Sequence, residues 1–311
     1  MNPKGPSISN CDQLDSEQAR ETARWLVFSP TLWVESEFLS RRLPDWWSTS
    51  HEDLASWGGI PDLGRIGKLS EELLARFISL SPNLRFIRKG WVIQDSKRTI
   101  GEIDFLVETP QGIEHWELAT KFYLYDSASD AFIGANGKDH LKKKLEKLRG
   151  QQLSLGQHPQ VLDWCREENL PEPDSYPLIK GRLFYRDQKE EASSDWSKEL
   201  TAEGDVGFWL FREEFSDALL SWRKEGLSFV PLKRKEWLSR NLSCENIVVE
   251  DGRCADLPRS FQGMLVGGST SSEEIRRVYV VPRGWPDSKS VADSQDFGPL
   301  EVDPIRYGLR S

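Results

Sequence analysis

The segment "GEIDFLVETPQGIEHWELATK", residues 101–121, predicts the central hairpin of the fold. Apolar and polar residues alternate on both sides of "TPQG", residues 109–112, as expected for two strands joined by a turn. A four-residue loop with proline at its second position is typical of a β-hairpin. The resulting register predicts three opposed pairs: Glu108 with Ile113, Leu106 with His115, and Asp104 with Glu117.

The two faces of this hairpin differ in chemistry, because successive side chains of a strand point to opposite faces. One face is apolar and predicts contact with a core; it carries Ile103, Phe105, Val107, Trp116, Leu118 and Phe122. The other face carries Glu102, Asp104, His115, Glu117, Ala119 and Lys121. Carboxylates opposed at about 5 Å between Cβ atoms repel each other unless they share a proton, pair with a base or bind a divalent cation. The alternative is a solvated face with cross-strand ion pairs, such as Glu102 with Lys121.

The helix predicted at about residues 137–155 favours a polar site on the acidic face. Its apolar stripe consists of Leu141, Leu145, Leu148 and Leu155. Gln152 lies within that stripe, and a glutamine directed at a core needs hydrogen-bond partners or costs about 1–3 kcal/mol. A polar pocket beneath the helix would supply those partners. In the alternative interpretation, Gln152 lies near the helix end and its amide reaches solvent. His115 is either a metal ligand or base, or a structural residue.

The same helix carries a run of basic residues on its other sides, including Lys138, Lys142, Lys143 and Lys144. The chain as a whole has a net charge of −9. Such a chain is not a general nucleic-acid binder, because neutralisation of phosphates dominates that affinity. These lysines therefore predict either a solvated helix face or a local contact with phosphates.

Composition predicts a globular protein of the cytoplasm. Of the 311 residues, 29% are charged and 38% hydrophobic, and no apolar run approaches the roughly 20 residues of a membrane span. The first residues lack the apolar stretch of a signal peptide. The four cysteines, Cys11, Cys165, Cys244 and Cys254, are scattered and predict buried thiols. The 13 tryptophans predict core residues, with a platform for stacked bases as the alternative.

The order of predicted elements indicates an α/β fold with a mixed sheet flanked by helices. A helix begins near residue 15 and stops before Pro30, and a second helix spans residues 66–80. Further elements are strands near 84–94, 99–108 and 113–124, the helix at 137–155, a helix near 159–168 and a strand at 178–186. More strands are predicted at 206–211, 263–267 and 276–282, with a helix at 212–224. We predict an N-terminal helical extension (1–62), a core (63–186) and a C-terminal α+β region with an extended tail (187–311).

Two of the quoted motifs resemble those of a known superfamily. "GEIDFL" and "WELATK", after a helix with an acid and before a helix with a glutamine, resemble the PD-(D/E)XK nucleases. They are most similar to the branch with the motif "GEID…EVK", which contains proteins like Holliday-junction resolvases. The resemblance implies a restriction-endonuclease-like core of order α-β-β-β-α-β. It also implies that Asp104 and Glu117 bind Mg²⁺ or Mn²⁺, that Glu71 or alternatively Glu72 joins them, and that Gln152 lies beside the site.

A longer resemblance covers almost the whole chain. It rests on the stretches "ARWLVFSPTLW", "LGRIGKLSEELL", "GEIDFLV", "ELATKFYL", "LKKKLEKLRGQQL", "KGRLFYR" and "LKRKEWLS". These are similar to the bacterial domain of unknown function numbered 1853. That family is itself placed among the PD-(D/E)XK proteins, so this resemblance implies the same fold.

The sequence departs from the nuclease motif at its lysine. The usual position is occupied by Ala119, and Lys121 begins about 13 Å further along the strand than Glu117. We expect Lys121 to act in its place, with Lys142 or Lys68 as substitutes from a helix.

The resemblance favours a magnesium-dependent phosphodiesterase that cleaves DNA or RNA by attack of a metal-activated water. One alternative is a catalytically inactive nuclease-fold protein that binds nucleic acid or protein. Another is an unrelated enzyme that uses the carboxylates as acid and base, such as a glycosidase. The sequence leaves the oligomeric state open.

Overall fold

A single mixed β-sheet of nine strands runs through the described part of the chain. The structure is a computed structural model, and it describes residues 14–61, 63–95, 98–186, 192–239, 260–267 and 274–287. Cys11, Cys244 and Cys254 lie outside these residues, as does the predicted tail after residue 287. Cys165 is a buried free thiol, as predicted.

The sheet has the strand order β1-β2-β3-β5-β6-β9-β8-β7, and β4 pairs with β3 alone. The strands are β1 (Arg85–Asp95), β2 (Arg98–Thr109), β3 (Gly112–Asp126), β4 (Ala131–Gly134), β5 (Asp174–Tyr185), β6 (Val206–Phe211), β7 (Leu227–Pro231), β8 (Phe261–Gly267) and β9 (Glu274–Val281). Strands β3, β5, β6 and β9 are parallel to their neighbours in that series, and the other pairings are antiparallel. The predicted α/β architecture with a mixed sheet is confirmed.

Helices cover both faces of the sheet. They are α1 (Ser16–Phe28), α2 (Glu37–Arg42), α3 (Thr49–Glu52), α4 (Leu54–Trp57), α5 (Ile66–Leu80), α6 (Leu141–Lys147), α7 (Pro159–Glu167), α8 (Ser194–Glu199) and α9 (Phe215–Lys224). Leu118 of β3 packs in the cluster formed by α1 and α5, whereas its neighbour Ala119 packs against α6. Because adjacent residues of one strand face opposite clusters, the central strands are buried on both sides.

The predicted elements of the first half are confirmed except at two points. The helix predicted at 137–155 is wrong in its bounds: α6 ends at Lys147, a π-helical turn follows over Leu148–Gln152, and a 3₁₀ turn continues to Gln157. Gly150 lies in the middle of the π turn, where its low helix propensity disfavours a regular α-helix. The predicted apolar face is also divided, because Ile103 packs with Leu155 and Val161 rather than with the cluster beneath α5.

Several short elements were not predicted individually from the sequence, among them α3, α4, β4, α8 and β7. The sheet continues from β5 into β6 across the predicted boundary at residue 187. The division into three regions stays a prediction.

Strand β5 carries two buried basic residues, of which Lys180 joins the helical N-terminal region to the sheet. The Lys180 ammonium donates hydrogen bonds to the Ser29 carbonyl after α1 and to Ser40 Oγ of α2. Arg182 faces Asp205 at 3.2 Å and Glu274 at 3.3 Å. Lys180 is 0% exposed, and this burial lowers its pKa from 10.5 to about 7.

This shift predicts a pH dependence of stability. Between pH 7 and 10.5 the unfolded chain binds a proton that the folded Lys180 does not, so stability rises with pH in that window. We expect this one group to add up to about 1.4 kcal/mol per pH unit to the free energy of unfolding, and Lys180→Met to lose that slope. Denaturant unfolding at several pH values measures it. The exposed Lys198→Met is the control, and parallel curves for wild type and Lys180→Met would contradict the prediction.

Candidate functional site

The sheet opens between β2 and β3 at Asp104. The ladder joins Glu108 to Ile113 and Leu106 to His115, as predicted, and its last pair is Phe105 with Trp116. Beyond that pair the Leu118 amide donates to Asp104 Oδ2 at 3.0 Å. The predicted ladder pairing of Asp104 with Glu117 is therefore wrong in detail. The Asp104 side chain occupies the place where the ladder would otherwise continue.

A cavity of about 250 Å³ lies at this opening. Its walls come from β2, β3, the first turn of α5 and the turns after α6: Lys68, Ile100, Gly101, Glu102, Asp104, Glu117, Lys147, Gln151, Gln152 and Leu155. A Cβ on Gly101 would lie 2.7 Å from Leu155 Cδ1, so glycine is required for this close approach. Asp104 and Glu117 thus share one enclosed space.

The two carboxylates are in an unfavourable environment for charge. Glu117 is 1% exposed, and Asp104 is partly buried. Burial, and then repulsion by Glu117, raise the pKa of Asp104 to about 7, although the Leu118 amide opposes the shift. Such a pair holds a proton near neutral pH or is neutralised by a cation.

A chain of hydrogen bonds fixes Glu117. Its Oε2 faces His115 Nε2 at 3.3 Å, and His115 Nδ1 faces Ser175 Oγ at 3.1 Å. Gln152 Nε2 donates to Glu117 Oε1, and Lys144 Nζ donates to Gln152 Oε1 at 2.9 Å. The Gln152 amide therefore has protein partners on both sides and is not directed into solvent. The π turn that carries Gln152 belongs to a type that is frequent at functional sites.

The lysines at the site agree only in part with those predicted, since Lys68, one of the two predicted substitutes, lines the cavity. Lys121 pairs with Asp139 at 2.5 Å, so its predicted ion pair with Glu102 is wrong. Lys142 and Lys143 are exposed. Lys144 is the residue of α6 that reaches the network; burial lowers its pKa, and the charge of Glu117 partly opposes that effect.

The sequence contains a signal that Lys144 faces the site. Lys144 lies three residues after Leu141 and four before Leu148, so it falls on the apolar stripe of the helix. Sequence reasoning grouped it with the exposed lysines of the same run. Lys138 is exposed in the turn that precedes α6.

The two glutamates of α5 have different neighbours. Glu71 pairs with Lys68 at 2.7 Å, and its charge contributes to the raised pKa of Asp104. Glu72 pairs with Arg76 and with Lys89 of β1, at 3.3 and 3.1 Å. Glu71 is thus the glutamate of the two that is close enough to influence the carboxylate pair.

Within the described ranges, no three acidic, histidine or cysteine side chains converge as a ready-made metal site. The carboxylates of the described residues that line the cavity are Glu102, Asp104 and Glu117, and the charge of Glu71 also acts on Asp104. Mg²⁺ is commonly bound by one or two protein carboxylates, with water completing its coordination. The donor set therefore fits a hydrated divalent cation.

The fold and the site define a mixed α/β protein with a buried carboxylate pair at an opening in its sheet. The model of the family described as "Domain of unknown function (DUF1853)" matches residues 22–263, and the chain belongs to that family. No curated protein and no solved structure matches the chain. In the part of the chain that the structure describes, no helix is both long and apolar enough to span a membrane.

The raised pKa predicts that Asp104 destabilises the folded protein. The folded state retains the Asp104 proton up to about pH 7 and the unfolded state loses it near 3.8, so stability falls as the pH rises across that window. We expect Asp104→Asn, which retains an acceptor for the Leu118 amide, to raise the free energy of unfolding at pH 8 by about 2 kcal/mol. The gain should largely vanish near pH 4.

Denaturant unfolding in EDTA at the two pH values checks this expectation. The exposed Asp195→Asn is the matched control, since its carboxylate lies on the surface. An Asp104→Asn protein that is less stable than wild type at both pH values would show that the charge of Asp104 stabilises the fold.

Proposed function

We propose that the protein is a magnesium- or manganese-dependent phosphodiesterase of the PD-(D/E)XK type that acts on nucleic acid. The observation that carries the proposal is the buried pair Asp104 and Glu117 in one cavity, with Gln152 and Lys144 in a hydrogen-bonded chain behind it. Placement of the sheet within the restriction-endonuclease-like class is part of the same proposal. The order α5-β1-β2-β3-α6-β5, interrupted by the short β4 and by α7, supports it.

The site residues have distinct parts in this mechanism. Asp104 and Glu117 would hold the cation, which supplies an activated water and stabilises charge on the phosphoryl oxygens when it is bound. Gln152 and His115 hold the two oxygens of Glu117 in fixed directions. Lys144 supplies positive charge and protons next to that network.

The usual motif has a catalytic lysine on the strand that corresponds to β3. In this protein Lys144 is the best candidate for that role. Position 119 cannot take a lysine without disrupting the core, because Ala119 packs beneath Leu141 and Leu145 of α6. Lys144 reaches the same network from the helix above. Lys121, engaged with Asp139, is expected to have the smaller effect.

The alternative is a nuclease-fold protein that binds nucleic acid or protein without hydrolysis. The pairing of Lys121 with Asp139 and the absence of a third converging carboxylate among the described residues favour it. In that case binding should survive Asp104→Ala.

Cation binding is the first test of the proposal. We expect Mn²⁺ to raise the melting temperature of the wild type, because a cation that binds only the folded state stabilises it. Asp104→Ala should abolish the shift and Asp195→Ala should retain it. Equal shifts in the wild type and Asp104→Ala would exclude this carboxylate pair as the cation site.

Cleavage is the second test. Labelled single-stranded and duplex DNA and RNA are incubated with the purified protein in Mg²⁺, Mn²⁺ or EDTA. We expect metal-dependent cleavage, with a loss of at least about 100-fold in Asp104→Ala and in Lys144→Met, and a much smaller loss in Lys121→Met. Cleavage that persists in Asp104→Ala would contradict the mechanism. Binding without any turnover would support the non-hydrolytic alternative.

A further inference from the structure

A second cavity, of about 220 Å³, lies on a different side of the first turn of α5. We propose that it holds a backbone phosphate of a nucleic-acid strand whose scissile bond lies at Asp104 and Glu117. The inference rests on the proposed function and adds the path of the substrate strand. Lys68 of the same helical turn lines the first cavity, whereas Arg65 lines the second.

The charged residues among the described lining of this second cavity are all positive. Arg65 comes from the start of α5, while Arg234 and Lys235 come from the 3₁₀ turn at Arg234–Leu238. The described residues that line it include no carboxylate. In a chain of net charge −9, three cations that converge from two separate elements produce a local positive potential that attracts phosphate.

Two of these cations lie at the surface of the protein. Arg65 and Arg234 are exposed, and neither has a carboxylate partner among the residues that the structure describes. Other arginines do have such partners, for example Arg42 with Glu114 and Arg149 with Glu199. Arg234 lies over the Trp237 ring, 5.8 Å from its centroid. Guanidinium groups at such exposed positions can bind an anion in the bidentate manner that arginine favours.

Apolar side chains form the rest of the cavity and favour a nucleotide over a free anion. Leu14, Leu63 and Ile66 line it beside the cations. A hydrated inorganic anion gains no binding free energy from contact with such an apolar surface. A nucleotide presents a phosphate next to the carbon atoms of a sugar and the face of a base, so it can use both parts of the cavity.

The two cavities adjoin one helical turn. Arg65 and Lys68 are separated by about one turn of α5, which is roughly 5 Å along the helix axis, and they line different cavities. The proposed strand crosses this turn, with its scissile bond at the carboxylate pair and another of its phosphates at Arg65. This path lies beside α5, not along the exposed lysines of α6.

Fluorescence anisotropy with labelled oligonucleotides tests the inference. Single-stranded DNA, single-stranded RNA and duplex DNA are titrated in Ca²⁺ at several salt concentrations. We expect the double variant Arg65→Glu/Arg234→Glu to bind at least about tenfold more weakly and to show a salt slope reduced by about two. The control Arg166→Glu/Arg283→Glu changes the net charge equally at two exposed arginines and should bind like the wild type. The variant Lys142→Glu/Lys143→Glu tests the alternative path along α6, and we expect it to bind like the wild type.

Several outcomes would overturn the inference. These are wild-type affinity in Arg65→Glu/Arg234→Glu, an equal loss in the charge-matched control, and a wild-type protein that binds no oligonucleotide. Competition by inorganic phosphate without any binding of a strand would identify a small-anion site and overturn it as well. The Mn²⁺-induced melting shift, measured on the same double variant, separates the two proposals. Binding that depends on Arg65 and Arg234 in a protein without that shift would remove the catalytic proposal and, with it, the scissile bond at Asp104 and Glu117, and would retain only the phosphate site at the second cavity.

Discussion

The hydrogen bond from the Leu118 amide to the Asp104 carboxylate marks the constraint on which the candidate site depends. At this point β2 stops pairing with β3 and remains with β1, while β3 continues in parallel register with β5. An opened sheet leaves backbone groups without ladder partners, and a buried amide without a partner is costly. The Asp104 side chain satisfies one of them. The strands can therefore diverge and enclose a cavity that a regular sheet would not contain.

The second carboxylate is held more rigidly than the first. Ser175, His115 and Glu117 form a serine–histidine–acid chain, but Nδ1 faces the serine and Nε2 faces the acid, which is the reverse of a catalytic triad. A Cβ on Gly156 would lie 2.4 Å from Ser175 Oγ, so the turn above also packs closely against the hydroxyl. The arrangement therefore orients Glu117, and it does not supply a nucleophile. With Gln152 on the other oxygen, Glu117 has a defined direction toward the cavity, as a metal ligand requires.

The fixed orientation of Glu117 in this cavity has an electrostatic cost. Two like charges share one cavity, and the Lys144 amine reaches Glu117 only through Gln152. Sites that perform chemistry are often destabilising to the fold that carries them, and the raised pKa of Asp104 is consistent with such a site. The positive cavity on the other side of α5 adds a surface that complements a phosphate backbone in a protein whose overall charge is negative.

The sequence by itself determined the features that arise from local physics. Helix α5 follows from its apolar period and from Pro82, the hairpin follows from strand alternation and "TPQG", and the placement of Asp104 and Glu117 on one polar face follows from that register. Tertiary structure decided the rest. The helix after β4 changes to a π turn at Leu148, and this turn directs Gln152 to Glu117. Asp139 engages Lys121, and the packing of α6 over Ala119 brings Lys144 into the network instead. Side chains from distant segments compete for the same few partners in these cases, and only the packed chain decides which of them is close enough.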